Sequence, residues 1–243
     1  MILAAGIGHR LRPLTDRCPK ALIEVGGMPM LEIVIRRLMA AGVREIVVNV
    51  FHQADRIARF LQERGNFGLR IELSPEEALL DTGGGLKQAS WFFDDDRPFF
   101  LHNVDVLTDI DLVELRRFHE THPALATLAV QTRQSARALL FGSDGGLRGW
   151  RPASPAETRW VGEPDHEAVA LAFTGIHVIS AAIFANLSET GAFPIHRAYL
   201  RLAAEGCRIQ AFRADGRYWA DIGTEAQLTA ARAHAAATGL ALS

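Results

Sequence analysis

The sequence predicts an α/β fold, a mixed and mostly parallel sheet flanked by helices, and three observations carry that expectation. Over the first 75 residues, short apolar runs alternate with helical periodicities, as they do when parallel strands are joined by crossover helices. The run EIVVNV at 45–50 is β-branched without alternation, as a strand covered on both faces should be. Hydrophobic residues make up 49% of the 243-residue chain, enough for one large core, so a single domain over 1–243 is expected.

The most informative stretch is ILAAGIGHRLRPLTDRCPK at 2–20. It opens as a short strand, breaks into Gly6 and Gly8, and then places Arg10, Arg12 and Lys20 in a loop that Pro13 and Pro19 should keep from becoming helical. Small residues let backbone N–H groups approach an anion, and the cations downstream neutralise its charge, so the stretch is suited to phosphate. A dinucleotide fingerprint would need a third glycine where Leu11 stands and an acid where the second strand carries Asn49. That sets an oxidoreductase reading aside.

The whole run resembles the signature of the nucleotide-sugar pyrophosphorylases, roughly LAAGxGxRLxPLTxxxPKxL. Leu3, Ala4, Ala5, Gly6, Gly8, Arg10, Leu11, Pro13, Leu14, Thr15, Pro19, Lys20 and Leu22 fall on it. The resemblance implies a Rossmann-like, GT-A-like nucleotidyltransferase fold with a small antiparallel sugar-binding part. It implies a nucleotide-binding part at about 1–110, a sugar-binding part at about 111–224 and a closing helix at about 225–238. It also implies a residue or two ahead of Ile2, so a trimmed start and a slightly shortened first strand are expected.

Beyond the signature, 21–25 reads as extended, Pro29 opens a helix that Gly42 stops, 54–64 is helical and 69–73 is a strand. The segment SPEEALLDTGGGLKQA joins a strand end to a helix expected to begin near Gly84; its three glycines would let a ligand lie against the backbone. By resemblance that ligand is the base, with Glu76 as its side-chain contact and Thr82 and Gly83 as backbone contacts. The strand 97–103 runs into Asp105, at a carboxyl end where ligands of open α/β sheets collect. Asp105 takes the place of the family's metal-binding acid, with Val104 where relatives carry glycine and Asn103 preceding on the sugar side. Asp109 is expected to cap a helix to about His122, followed by a strand at 125–132 and an antiparallel hairpin at 137–151.

Relatives often place a Glu-Lys pair near that hairpin; Gly149-Trp150-Arg151-Pro152 stands there instead, with Arg148 or Arg151 to supply charge. A loop at 153–166 precedes a long strand at 168–180, interrupted at Thr174-Gly175, which matches the family's sugar-contacting step. His177 on that strand reads as a satisfied, partly buried histidine. Helices at 181–187 and 194–205 and a strand at 208–212 follow. Tyr218-Trp219-Ala220-Asp221-Ile222-Gly223-Thr224 resembles the W-x-D-[IV]-G-T element, which makes Asp221 the second metal ligand, and an Ala-rich helix closes the chain. The sequence itself holds no hexapeptide repeat of the kind many relatives carry.

The reaction implied is attack of a sugar 1-phosphate on the α-phosphorus of a nucleoside triphosphate, releasing pyrophosphate. The attacking monoester is already mostly dianionic at neutral pH, so positioning and charge neutralisation are what the protein must supply. Asp105 and Asp221 would hold Mg²⁺, Arg10 with the Gly6 and Gly8 amides would take the β and γ phosphates, and Lys20 would take the α or sugar phosphate. Because a carboxylate only accepts hydrogen bonds, Glu76 should favour UTP and GTP over ATP and CTP. UTP is expected ahead of GTP, because the apolar residues around Leu79 and Leu80 would crowd a purine and because the resemblance extends to the uridylyltransferase branch as well as to the mannose 1-phosphate guanylyltransferases. The alternative is a non-catalytic protein of the same fold that binds a nucleotide sugar.

Net charge is −2, with 26 basic and 28 acidic residues, so there is no overall field for nucleic acid. Two cysteines, Cys18 and Cys207, form no disulfide scaffold or metal spacing. No stretch approaches the roughly 18 to 20 apolar residues of a membrane span, and no secretory leader precedes the arginines. A cytoplasmic protein without membrane or nucleic-acid partners is expected; oligomeric state is not legible.

Overall fold

Strand Ile2–Leu3 is the centre of the first of two units into which the chain folds. The structure is a computed structural model that describes residues 1–239; the last four positions of the expected domain lie outside the described residues. The first unit comprises Met1–Leu79, His102–Leu112 and the chain from Arg217 onward, and the second comprises Leu80–Leu101 and Val113–Gly216.

In the first unit, Ile2–Leu3 pairs in parallel with Glu45–Val50, through Ile2↔Val48 and Leu3↔Asn49. On its other side it pairs in parallel with the end of Phe99–Asn103, through Ile2↔His102 and Leu3↔Asn103. Arg70–Pro75 extends the parallel set beyond Glu45–Val50. The carboxyl ends of these strands therefore gather residues 4, 49, 76 and 103 at one edge, which is why phosphate and carboxylate chemistry meets there. The helix Met30–Ala40 buries Leu31, Val34, Ile35 and Leu38 at helical spacing, and Ala54–Glu63 buries Ile57 and Leu61. A second apolar layer joins Leu11, Ile23, Met30, Ile33, Leu107 and Ile222 to Leu228, Ala231 and Ala235 of the helix Glu225–Thr238. Thr224 starts that helix as its N-cap, its hydroxyl accepting the Gln227 amide.

In the second unit the strands are mainly antiparallel. Val169–Ile179 pairs with Ala126–Gln131 on one side and Ala138–Phe141 on the other, and Ile209–Arg213 joins Ala126–Gln131 in parallel. The hairpin expected at 137–151 is present as Ala138–Phe141 with Leu147–Arg151, and Arg159–Trp160 adds to it, so part of the loop expected at 153–166 is strand. The antiparallel part is broader than that hairpin alone.

Three local expectations need correction. The prolines of the 2–20 loop do not prevent helix; short turns form at His9–Leu11, Leu14–Arg17 and Lys20–Leu22, and Pro13 and Pro19 stand directly before two of them. A proline there loses no helical hydrogen bond, because the first turn's N–H groups have no intrahelical partner. The glycine-rich helix starts at Asp81, three residues before Gly84. Asp109 does not cap a helix: Leu112–Thr121 begins beyond it, and its carboxylate accepts the amide of Tyr218 at 2.7 Å.

Candidate active site

Gly8 shapes the loop that leaves Ile2–Leu3. Its φ is 72°, in the left-handed region, and a Cβ there would stand 2.8 Å from Thr15 Cγ2 and 3.4 Å from Lys20 Cβ. Thr15 in turn donates its hydroxyl to the Gly8 carbonyl at 3.0 Å, and Leu11 donates its amide to the same oxygen at 2.9 Å. Gly8 is thus needed to fold the loop back so that Lys20 passes beside it. Gly6 is different: it lies outside the left-handed region and a Cβ there meets no atom within 4 Å. Nothing among the described residues requires glycine at that point.

That contrast makes a prediction. Gly6→Ala should leave thermal stability within about 0.5 kcal/mol, as for a surface change that disturbs no contact, while turnover falls about tenfold or more because the methyl group stands where an anion would approach. Gly8→Ala should destabilise by about 1–3 kcal/mol through the strained φ. Unfolding curves and initial rates on both variants separate the two; a fully active Gly6→Ala would remove Gly6 from the site.

Lys20 reaches across to the opposite strand end and donates its ammonium to Asp105 Oδ2, with its side chain only 12% exposed. Asp105 is held by its own backbone: Val104 N–H donates to Leu3 O at 3.1 Å, and Ile222 N–H donates to Asp105 O at 3.0 Å. The second of these bonds brings in Asp221, whose strand Trp219–Asp221 pairs antiparallel with Val106–Thr108 through Asp221↔Val106. Asp221 Oδ1 accepts the Gly223 amide at 3.2 Å. The exposed Arg10 lays its guanidinium over Gly223, where Nη2 would be 2.8 Å from an added Cβ. Two carboxylates and two cations thereby converge from segments far apart in sequence. Val104 is buried with its backbone outside the left-handed region, so the β-branched residue is accommodated there without backbone strain.

Among the described residues no group of three or more His, Cys, Asp or Glu could enclose a metal. Two carboxylates on segments paired by Ile222 N–H to Asp105 O suit a hard ion that takes its other ligands from water and phosphate, as Mg²⁺ does; Asp105 Oδ2 is here engaged by the Lys20 ammonium.

Glu76 is buried at 7% exposure and is fixed through its backbone, Glu76 N–H to Val50 O at 2.8 Å, and through its side chain, which accepts Asn49 Nδ2 at 2.7 Å. Asn49 Oδ1 accepts the Ala4 amide at 2.7 Å. In the sequence Asn49 serves only to exclude a dinucleotide site; the available signal is that it is the one polar residue among 46–50 of a doubly covered strand. His102 is also absent from the residues that the sequence singles out. It is fully buried, its Nδ1 hydrogen-bonded to the Asn103 carbonyl at 2.8 Å, and burial pushes its pKa down to about 4.

Asn103 ends the strand beside Leu3 in the first unit, whereas Thr82, Gly83, Thr174 and Gly175 belong to the second. Thr82 Oγ1 accepts the Ile195 amide at 2.9 Å, and Gly83 N–H donates to Phe193 O at 2.9 Å. A Cβ on Gly83 would stand 2.2 Å from the Phe193 ring, and one on Gly84 would stand 2.6 Å from Gly191 O. What lies against this glycine run is therefore the unit's own chain at 191–193. Thr174 donates its hydroxyl to Ala129 O at 2.8 Å, beside a register shift between Phe173 and His177 where Gly175 takes φ 82°. His177 is satisfied by the Tyr199 hydroxyl at 2.7 Å, as expected, but is fully rather than partly buried. Arg148 is engaged by Asp144 at 2.9 Å.

The sequence pattern of the family described as "Nucleotidyl transferase" matches residues 1–238. The chain belongs to that family. It is 31% identical over 226 residues to the mannose-1-phosphate guanyltransferase of Candida albicans, covering 92% of this chain and 60% of that protein. To the protein of the same name in Gibberella zeae it is 42% identical over 132 residues, 54% of this chain and 36% of that one. The chain thus spans at most about 60% of the length of these curated relatives. Among solved structures, HddC from Yersinia pseudotuberculosis superposes with a TM-score of 0.75 at 19% identity, over 96% of this chain and 97% of that one. The inositol-1-phosphate CTP transferase from T. maritima gives 0.71 at 16% identity, over 93% and 89%. These likenesses bear out the fold class, a mixed, mostly parallel sheet flanked by helices. No helix among the described residues is long and apolar enough to cross a membrane.

Proposed function

We propose that this chain transfers a nucleotidyl group from a nucleoside triphosphate to a sugar 1-phosphate. The observation that carries the proposal is the convergence of Lys20, Asp105, Asp221 and Arg10 at the carboxyl ends of the first unit's strands. A phosphate oxygen of the sugar 1-phosphate attacks the α-phosphorus, the bond from the α-phosphorus to the bridging oxygen breaks, and that oxygen leaves with pyrophosphate. No proton need be removed from the dianionic attacker. Lys20 neutralises charge on the α-phosphoryl or sugar phosphate, and Arg10 with the Gly6 and Gly8 amides receives the β and γ phosphates. Asp105 and Asp221 would hold Mg²⁺, which when bound supplies Lewis-acid neutralisation of phosphoryl oxygens.

For the base we propose Glu76 as the reading group, and guanine as the base read. Guanine offers an N–H and an amine side by side to a carboxylate acceptor, and the curated relatives carry guanyltransferase names. The expected preference for UTP, which rested on crowding by Leu79 and Leu80 and on resemblance to the uridylyltransferase branch, is not supported: the curated relatives are guanyltransferases by name, and Leu79 is 42% exposed. For Thr82 and Gly83, expected as backbone contacts to the base, we propose a packing role in the second unit instead, because their amides are committed to Asp81 Oδ1 and Phe193 O. For the sugar 1-phosphate we propose Asn103 as a contact, with mannose 1-phosphate as the first sugar to try.

The test is pyrophosphate release from each of the four triphosphates with a panel of sugar 1-phosphates and Mg²⁺. GTP with mannose 1-phosphate is expected to lead. Release from none of the mixtures would favour a protein that binds nucleotide sugars without turning them over, and a lead by ATP or CTP would show that Glu76 does not read the base.

A further inference from the structure

The carboxylate that reads the base and the loop that receives phosphate are joined by one side chain. Asn49 is 3% exposed, its Oδ1 accepts Ala4 N–H at 2.7 Å, and its Nδ2 donates to Glu76 Oε1 at 2.7 Å. The amide cannot be turned over. A backbone N–H only donates, so the oxygen must face Ala4; the nitrogen must then face Glu76, whose Oε1 is fixed as an acceptor. Register makes this possible, because Leu3↔Asn49 sets the side chain beside the start of the loop and Asn49↔Ser74 sets it beside the strand that leads into Glu76. An apolar residue would complete the core of Glu45–Val50 equally well, so packing alone does not call for an amide there.

We propose that Asn49 is a positioning residue for nucleotide recognition: it orients the Glu76 carboxylate towards the base and holds that carboxylate in fixed relation to the first turn of the phosphate loop. The proposal rests on the reading of Glu76 and residues 4–20 given above. Its consequence is that base selectivity and triphosphate affinity are linked through one buried amide, whereas the sugar 1-phosphate is bound independently of it.

Asn49→Asp keeps an acceptor for Ala4 but sets a second carboxylate against Glu76. It is expected to raise KM for GTP about ten- to hundredfold, the range for a misaligned buried polar group, and to narrow the preference for GTP over ATP. KM for the sugar 1-phosphate should change less than about twofold, since the loss is confined to nucleotide contacts. In a Glu76→Gln background the same substitution should cost much less, because the introduced side-chain amide can donate to the introduced carboxylate. Equal costs in both backgrounds, or equal rises in both KM values, would overturn the proposal and leave Asn49 as a structural residue. Should Asn49→Asp fail to fold, Asn49→Ser carries the test: its hydroxyl is too short to span Ala4 and Glu76, so an unchanged KM for GTP with unchanged selectivity would overturn the proposal. Absence of turnover in the unaltered protein with every triphosphate would defeat the proposed activity instead. The same comparison is then made on the Kd of GTP by calorimetry, where equal affinity of the unaltered protein and the Asn49 variants overturns the link.

Discussion

Asp105→Asn is expected to lower kcat by about 10²–10³-fold, the cost typical of removing one electrostatic stabiliser of a developing charge, with the melting temperature nearly unchanged. The fold should survive because Asp105 is anchored by backbone: its carbonyl accepts Ile222 N–H, and the preceding Val104 N–H is held by Leu3 O. An asparagine of the same size keeps both bonds and still accepts from Lys20. What it loses is the charge that a hard cation requires and the ion pair that aims the half-buried ammonium. Asp221→Asn should have a comparable effect, since its Oδ1 hydrogen bond to Gly223 N–H is one an amide oxygen also makes. If both carboxylates serve one ion, the double variant should be little worse than either single one. Pyrophosphate release across a Mg²⁺ titration decides it: near-normal kcat for either variant at saturating Mg²⁺ would remove that residue from the metal site.

The parts legible in the sequence are those in which local chemistry and long-range packing agree. Glu45–Val50 falls on its expected bounds because a parallel strand covered on both faces has few other ways to bury the five consecutive residues 46–50. The signature loop is legible as a phosphate loop, but not as a series of helical turns, because its prolines look like breakers and stand where a helix loses nothing to them. The glycines at 83 and 84 look like room for a ligand, and their neighbours are Phe193 and Gly191, about 110 residues away in sequence. Asp109 looks like a local cap, and its partner is the amide of Tyr218. Asn49 belongs with these. A polar residue in an apolar strand signals that a partner exists, but naming Ala4 and Glu76 requires the register of three strands. For the glycines, Asp109 and Asn49 the missing information is long-range pairing, which residue types and spacing do not encode.

His102 should make stability depend on pH in a window where most side chains are silent. Its ring is fully buried; burial is the dominant effect, opposed by the Nδ1 hydrogen bond to Asn103 O and by Asp105, and reinforced by Arg37 and the amino terminus. The net result is a pKa lowered from 6.5 to about 4. Because Nδ1–H donates to a carbonyl, Nε2 carries the lone pair, and among the described residues it has no hydrogen-bond partner. In the unfolded chain the ring takes a proton near pH 6.5, and in the folded chain not until about 4. Between those values the unfolded state binds more protons, so stability rises with pH. The contribution is fully present above pH 6.5 and is lost progressively as pH falls to about 4. A shift of that size corresponds to about 3 kcal/mol. Urea unfolding at about pH 7 and about pH 4.5, either side of most of that window, should therefore show a larger loss for the unaltered protein than for His102→Leu, which cannot take up the proton. Carboxylates elsewhere titrate in both proteins and cancel in the comparison, so equal losses would mean that His102 is not held neutral by the fold.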